Sequence, residues 1–96
     1  MITFAIYCDP YPGKEDELDR FFTTTMKNFW VSQPGVKEYH CLRDKLIGYP
    51  ERAVRVELSD FSALQKILDS SEWNNHRRKV NTLIARVQSQ ILEPVS

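Results

Sequence analysis

The chain has 96 residues, and its 13 lysines and arginines balance its 13 aspartates and glutamates, which gives a formal net charge of zero. A balanced chain lacks the basic surface that nucleic-acid binding normally requires. No apolar stretch approaches the roughly 18 residues of a membrane-spanning helix, and the first residues enter a strand rather than a signal sequence. We therefore expect one cytoplasmic domain over residues 1–96, with neither a membrane nor a nucleic acid as partner.

The first two predicted elements are a strand and a long helix. Apolar residues at positions 2, 4 and 6 alternate with their neighbours, which is the period of a β-strand. An apolar stripe then recurs at helical spacing from about Lys14 to Val31, and acidic residues occupy its first turn. Pro34 and Gly35 end this helix. The stripe consists of Leu18, Phe21, Phe22, Thr25, Met26 and Phe29.

The second half of the chain predicts a hairpin, a helix in two pieces and a last strand. Alternation from Val36 to about Leu46, a turn at residues 48–50 and alternation again from 53 to 58 indicate two antiparallel strands. Ser59 or Asp60 caps a helix that breaks at residues 69–71 and resumes to about residue 84. Residues 87–93 form the last strand.

This strand, helix, strand, strand, helix, strand order is that of the ferredoxin-like α+β fold, usually a four-stranded antiparallel sheet with both helices on one face. In the third strand, the apolar residues Val54, Val56 and Leu58 are expected to pack under the helices, which turns Arg55 and Glu57 to the opposite face. We expect a second copy of the chain to cover that face, because 42% of the residues are hydrophobic. In such a homodimer the two charges face an enclosed cavity.

The two cysteines, Cys8 and Cys41, fall in predicted strands that are not neighbours in this sheet. A disulfide between them is therefore not expected, and both are predicted to be reduced and buried. The histidines have no ligand spacing with each other or with the cysteines, so we predict no metal site.

Several short motifs follow one another in a characteristic order and spacing: the first strand followed by residues 12–18, the Gln33-Pro34-Gly35-Val36 junction, residues 54–61 and residues 70–76. Together they resemble the dimeric α/β-barrel superfamily and, within it, the antibiotic biosynthesis monooxygenase-like group. The resemblance covers nearly the whole chain. It implies dimerisation through the sheets and a small-molecule pocket between sheet and helices in each subunit.

The resemblance also implies an unusual chemistry, because several members of the group oxidise polycyclic aromatic substrates without flavin, metal or haem. Such an enzyme binds an electron-rich phenol, removes a proton and shields the carbanion that reacts with oxygen. We therefore expect no cofactor, and a hydrophobic or aromatic small molecule of polyketide type as substrate.

His40 and His76 are the candidate catalytic bases. A strand histidine at position 40 can open into the cavity with a pKa near neutrality. The register of this strand is ambiguous, because either residues 36, 38, 40 and 42 or residues 37, 39, 41 and 43 face the cavity. His76 follows Trp73 by three residues and shares its helical face, so together they can wall and polarise a pocket.

Four residues are candidates for binding the substrate: Tyr7, Arg55, Glu57 and Trp73. Each also has a structural reading. Arg55 and Glu57 can form an ion pair between subunits, since an unpaired buried charge is costly. Tyr7, with Gln88 and Gln90, can add hydrogen-bonding groups to the same face.

Two other functions stay open. A dimeric barrel that binds a ligand, or responds to stress, without catalysis needs the fold and no base. Haem-degrading members of the superfamily bind haem through a histidine on the second helix, and His76 lies in that region. The first strand, however, lacks the asparagine that supports haem, and Lys66 stands where a tryptophan is wanted.

Overall fold

A computed structural model describes all residues, 1–96, and has eight helices and strands. The strands form one antiparallel sheet in the order β2-β3-β1-β4, so the predicted ferredoxin-like α+β fold is confirmed. None of the four helices has the length and apolar character that crossing a bilayer requires. The elements are β1 (Ile2–Pro10), α1 (Glu15–Thr23), α2 (Thr25–Val31), β2 (Val36–Arg43), β3 (Arg52–Leu58), α3 (Phe61–Leu68), α4 (Ser71–Asn81) and β4 (Ile84–Leu92).

The hydrophobic core lies between the sheet and the helices. As predicted, Val54, Val56 and Leu58 turn inward and are at most 1% exposed. The alternate residues of β1 share this side, and α1 and α2 contribute their apolar stripe. The period of two in the strands therefore separates a buried helix side from the other side of the sheet.

The first predicted helix is two helices, which corrects the expectation of one continuous segment. The break is at Thr24, whose φ of −122° and ψ of −79° are not helical. The hydroxyls of Thr23 and Thr24 donate to the carbonyl oxygens of Asp19 and Arg20 at 2.7 and 2.5 Å. Such hydrogen bonds to the preceding turn bend helices, and three consecutive β-branched threonines favour the break.

The other boundaries differ by a few residues from the prediction. The break in the second helix is confirmed, since α3 ends at Leu68 and the Ser70 hydroxyl caps α4 by accepting from the Trp73 amide at 3.1 Å. β2 ends at Arg43, because the Asp44 carboxylate accepts from the Leu46 amide and closes a turn. Similarly, α4 ends at Asn81 and β4 already begins at Ile84.

Candidate ligand site

The helices cover one side of the sheet, and we call the other side the open face. Side chains on it come from alternate residues of the four strands, at positions opposite one another in the register. Tyr7, His40, Arg55 and Glu57 lie on this open face, whereas Trp73 and His76 lie on α4 on the helix side. The predicted site residues are therefore divided between two sides of the sheet, and a single pocket in one chain does not collect them.

The register of β2, which the sequence left ambiguous, places His40 on the open face. His40 pairs with Arg55, while Tyr39 and Cys41 pair with the inward-facing Val56 and Val54. Tyr39 and Cys41 pack against the core, and the Tyr39 hydroxyl donates to the Phe22 carbonyl at 2.7 Å. His40 is therefore separated from the helix-side core by the sheet itself.

The open face carries a cluster of titratable groups around His40. The His40 Nε2 atom is 3.4 Å from a carboxylate oxygen of Glu38, and both side chains are more than half exposed. A hydrogen bond between the Glu38 and Glu57 carboxyls raises the pKa of Glu57 and lowers that of Glu38. The nearby His40 lowers the pKa of Glu38 further. One proton shared by two carboxyls is the arrangement that separates their pKa values.

Tyr7 lies elsewhere on the open face, opposite Gln88 in β4. It borders a shallow hollow of about 330 Å³ with Tyr49, Gln88 and Gln90. The Tyr49 hydroxyl donates to the Tyr7 carbonyl at 3.1 Å, and the guanidinium of Arg86 lies 4.2 Å from the centre of the Tyr49 ring. The predicted neighbourhood of Tyr7 and the two glutamines therefore exists, on a surface that is open in the single chain.

On the helix side, Trp73 and His76 belong to an aromatic cluster between α2 and α4. The Trp73 ring is 5.2 Å from that of Trp30, and the His76 ring is 4.8 Å from that of Phe29 and 5.8 Å from that of Phe21. The buried His76 Nε2 has no hydrogen-bond partner, and its nearest carboxylate oxygen, on Glu72, is 3.9 Å away. Trp73 is 6% exposed, so it belongs to the hydrophobic core and lies at the edge of that core.

A cleft of about 280 Å³ opens on the other flank of Trp73, between α4 and β4. We call it the α4–β4 cleft. Its walls are mainly apolar, and three polar residues complete them. The volume is near the lower end of the roughly 300–1,000 Å³ of small-molecule pockets. The cleft is lined by Ile6, Met26, Trp73, Arg77, Val80, Asn81, Ile84, Val87 and Ser89.

Of the predicted site residues, Trp73 alone lines this cleft. Arg77 and Asn81 were not predicted from the sequence as site residues. Residues 77–79 are all basic, and such a triplet usually marks a solvated helix face. The spacing of Trp73, Arg77 and Asn81 was a usable signal, since residues four apart lie on one line along a helix. His76 lies about 60° around the helix axis from Trp73, away from Arg77, which directs it to the Phe21 and Phe29 side.

A larger hollow of about 380 Å³ lies at the junction of residues 33–35 with α3. Its lining is largely polar, with Ser59, Asp60 and Lys66 among its members, and it faces solvent. It reaches the core only at the buried Ile67, whereas six of the nine residues that line the α4–β4 cleft are hydrophobic, among them the buried Ile6, Met26 and Trp73. Since small-molecule sites are mostly apolar with a few polar groups, the cleft is the better candidate.

No three His, Cys, Asp or Glu side chains converge in an arrangement that could hold a metal ion. Both thiols are free; Cys8 is buried as predicted, whereas Cys41, on the edge strand β2, is only half-buried. Burial raises the pKa of Cys8 to about 12 and also raises that of Cys41. Nearby, the Arg52 guanidinium donates to the Asp19 carboxylate at 2.6 and 3.1 Å, which holds β3 to α1.

Several solved structures share the fold of this chain, although no protein-family model and no curated protein matches its sequence. Among solved structures, SnoaB, a cofactor-independent oxygenase from Streptomyces nogalater, has a TM-score of 0.82 at 17% identity over 99% of this chain and 93% of that one. Rv0793 from Mycobacterium tuberculosis has a TM-score of 0.78 at 21% identity, covering 99% of this chain and 94% of that one.

A third similar structure is a dabb family protein with a ferredoxin-like fold from Mesorhizobium loti, with a TM-score of 0.80 at 15% identity over 99% of this chain and 97% of that one. Identities this low establish the fold and not the reaction. The chain therefore shares the fold of these proteins, which is the ferredoxin-like arrangement predicted from its sequence.

Proposed function

We propose that the protein is a cofactor-independent monooxygenase-like enzyme that binds an aromatic or polyketide-type molecule in the α4–β4 cleft. The observation that carries this proposal is the cleft itself, with apolar walls, the edge of the core as its floor and Arg77, Asn81 and Ser89 as polar anchors. The shared fold with SnoaB, a cofactor-independent oxygenase, supports it.

The proposed reaction needs little from the protein beyond binding and proton transfer. A benzylic CH₂ group next to an electron-rich ring loses a proton, and the carbanion reacts with O₂ to give a peroxide anion. Protonation gives a hydroperoxide, which loses water and leaves a carbonyl group. One oxygen atom is thus retained in the product and the other leaves as water. Apolar walls such as Trp73 and Val80 keep bulk water from the carbanion.

Two histidines are candidates for the base, and they imply different sites. His76 is on the same helix as Trp73 but does not line the cleft, so side chains have to move for it to contact a ligand there. His40 requires a substrate on the open face, enclosed by a second copy of the chain. The substitutions His76→Gln and His40→Gln separate these roles, because only the true base lowers turnover while leaving ligand affinity nearly unchanged.

We also propose that the protein is a homodimer formed through the open faces. In one chain this face bears opposite charges, on Arg55 and Arg86 and on Glu38 and Glu57, beside the half-exposed Leu42 and Leu92. A twofold axis can bring unlike charges of two copies together, with Tyr7, His40, Arg55 and Glu57 between them. Light scattering after size-exclusion chromatography measures the mass; a single-chain mass at micromolar concentration would contradict this proposal.

The function is tested by filling the cleft from its outer wall. Val87 is 52% exposed, so Val87→Trp adds a ring at the cleft with little cost to folding. Ile91→Trp is a matched control, because Ile91 is 48% exposed on the same side of the same strand but does not line the cleft.

Oxygen uptake is measured with anthrone in chelator-treated buffer, and anthraquinone is measured as the product. We expect the unsubstituted protein and Ile91→Trp to accelerate both, and Val87→Trp to lose at least about tenfold. Equal rates for the two variants would place the reaction outside the cleft. No acceleration with anthrone or with a panel of hydroxynaphthalenes would argue against the enzyme.

A second candidate is a non-catalytic ligand-binding protein with the same cleft. The specific observation in its favour is that neither His40 nor His76 lines the cleft. Binding that is lost in Val87→Trp, with no oxygen uptake by any variant, would favour this function over the enzyme.

A further inference from the structure

We infer that the ligand of the α4–β4 cleft is an anion, an aromatic molecule that carries a carboxylate or an ionised hydroxyl held by Arg77. This inference rests on the proposed function insofar as it takes the cleft as the ligand site. It adds the charge of the ligand and the residue that selects it.

Three side chains of α4 form a line along the cleft. Trp73, Arg77 and Asn81 are four residues apart, so they follow one another along the helix surface above the cleft, and all three line it. A flat ring against Trp73 therefore has a guanidinium next to it and an amide beyond. Ser89 adds a hydroxyl from the β4 wall.

The charges that line the cleft are unbalanced. The lining includes one cationic residue, Arg77, and no acidic residue. Arg77 forms no ion pair or side-chain hydrogen bond within the chain, whereas Lys79 on the same helix donates to Glu17 at 3.0 Å. The side chains of Asn81 and Ser89 likewise have no protein partner. The cleft thus offers hydrogen-bond donors and an uncompensated positive charge.

The guanidinium of Arg77 suits an anionic group in both charge and geometry. A guanidinium remains protonated throughout the physiological range and presents parallel N–H groups that match a carboxylate, and it also pairs with a phenolate. The adjoining apolar wall excludes part of the solvent, which strengthens the pairing over that of a fully exposed charge. An aromatic ring with an acidic substituent satisfies both parts of the cleft, whereas a neutral hydrocarbon leaves Arg77 unused.

The test compares two ligands of nearly equal shape, 2-naphthoate and 2-naphthamide, by isothermal titration calorimetry at low ionic strength. The unsubstituted protein is expected to bind the anion at least about fivefold more tightly than the amide. Arg77→Gln is expected to abolish this preference. Arg78→Gln is the control, since it removes the same charge from the next position, which is exposed like Arg77 but does not line the cleft. Raising the salt concentration is expected to reduce the preference only where Arg77 is present.

The possible failures are distinguishable. Equal binding of both ligands that Val87→Trp abolishes would overturn the anion preference and leave the cleft as the ligand site. A preference that persists in Arg77→Gln would overturn the role of Arg77. Failure of both ligands to bind, or binding that Val87→Trp leaves unchanged, would overturn this inference together with the assignment of the cleft. Thermal melting of each variant checks that it is folded.

Discussion

Gly35 connects α2 to β2, and replacing it with alanine tests how tightly this junction packs on α3. Its φ of +89° is unfavourable for an L-residue, at roughly 1–2 kcal/mol. An added Cβ would also lie 2.7 Å from the Ala63 Cβ and 3.1 Å from the Ser59 Oγ. Overpacking of this kind costs about 1–3 kcal/mol, so we expect Gly35→Ala to lower the free energy of unfolding by about 2–5 kcal/mol in total.

Gly13→Ala is a matched control for the backbone cost. Gly13 has a φ of +87°, and a Cβ there would meet nothing within 4 Å. We expect urea unfolding to show a loss of only about 1–2 kcal/mol for this variant. Adding Ala63→Gly to Gly35→Ala is expected to recover part of the excess, beyond the cost of a helical glycine. Equal losses at the two glycines, or no recovery, would refute the contact with Ala63.

The remaining predictions concern buried polar groups. Asp19→Ala is expected to lower the free energy of unfolding by about 2–3 kcal/mol, and by more than Arg52→Leu, because it leaves the Arg52 side chain, which is 8% exposed, without its carboxylate partner. Urea unfolding measures both losses, and a smaller loss for Asp19→Ala would contradict this expectation. Cys8 is expected to react with a thiol reagent more slowly than Cys41 in the folded protein, and both to react rapidly in denaturant. Because folding raises the pKa of Cys8 to about 12, its contribution to stability is complete below about pH 9 and falls as the pH rises towards 12. Cys8→Ala should therefore flatten the alkaline loss of stability, and an unchanged pH profile would contradict this assignment.

The parts of the fold that sequence predicts are those with a strong apolar period. In β3 the alternation fixes which side of the strand faces the core, so the sides of Val54 and Arg55 follow directly. The break at Thr24 does not follow, because the apolar stripe stays in helical phase across it. The competing hydrogen bonds of the threonine hydroxyls become decisive only once the carbonyl oxygens are placed.

The candidate site was harder to predict for a related reason. β2 is an edge strand with both sides partly exposed, so its composition does not distinguish one register from the other. Whether His40 and His76 share a pocket depends on that register and on the rotation of α4 about its axis. Arg77 was not predicted as a site residue, because the sequence pattern of a charged residue on a helix surface is the same whether or not it lies beside a cleft.

The division of the candidate residues between two sides of the sheet has a consequence for function. A second copy packed on the open face would enclose His40, Arg55 and Glu57 without touching the mouth of the α4–β4 cleft, since the sheet lies between them. Assembly and ligand entry are therefore compatible. The cleft can remain accessible because β4 is an edge strand whose Val87 and Ile91 are only half covered on the helix side. The same geometry makes the two candidate bases separable by experiment: a base at His76 works in a single chain, whereas a base at His40 requires the dimer, so turnover through His40 alone would fall with the concentration of dimer.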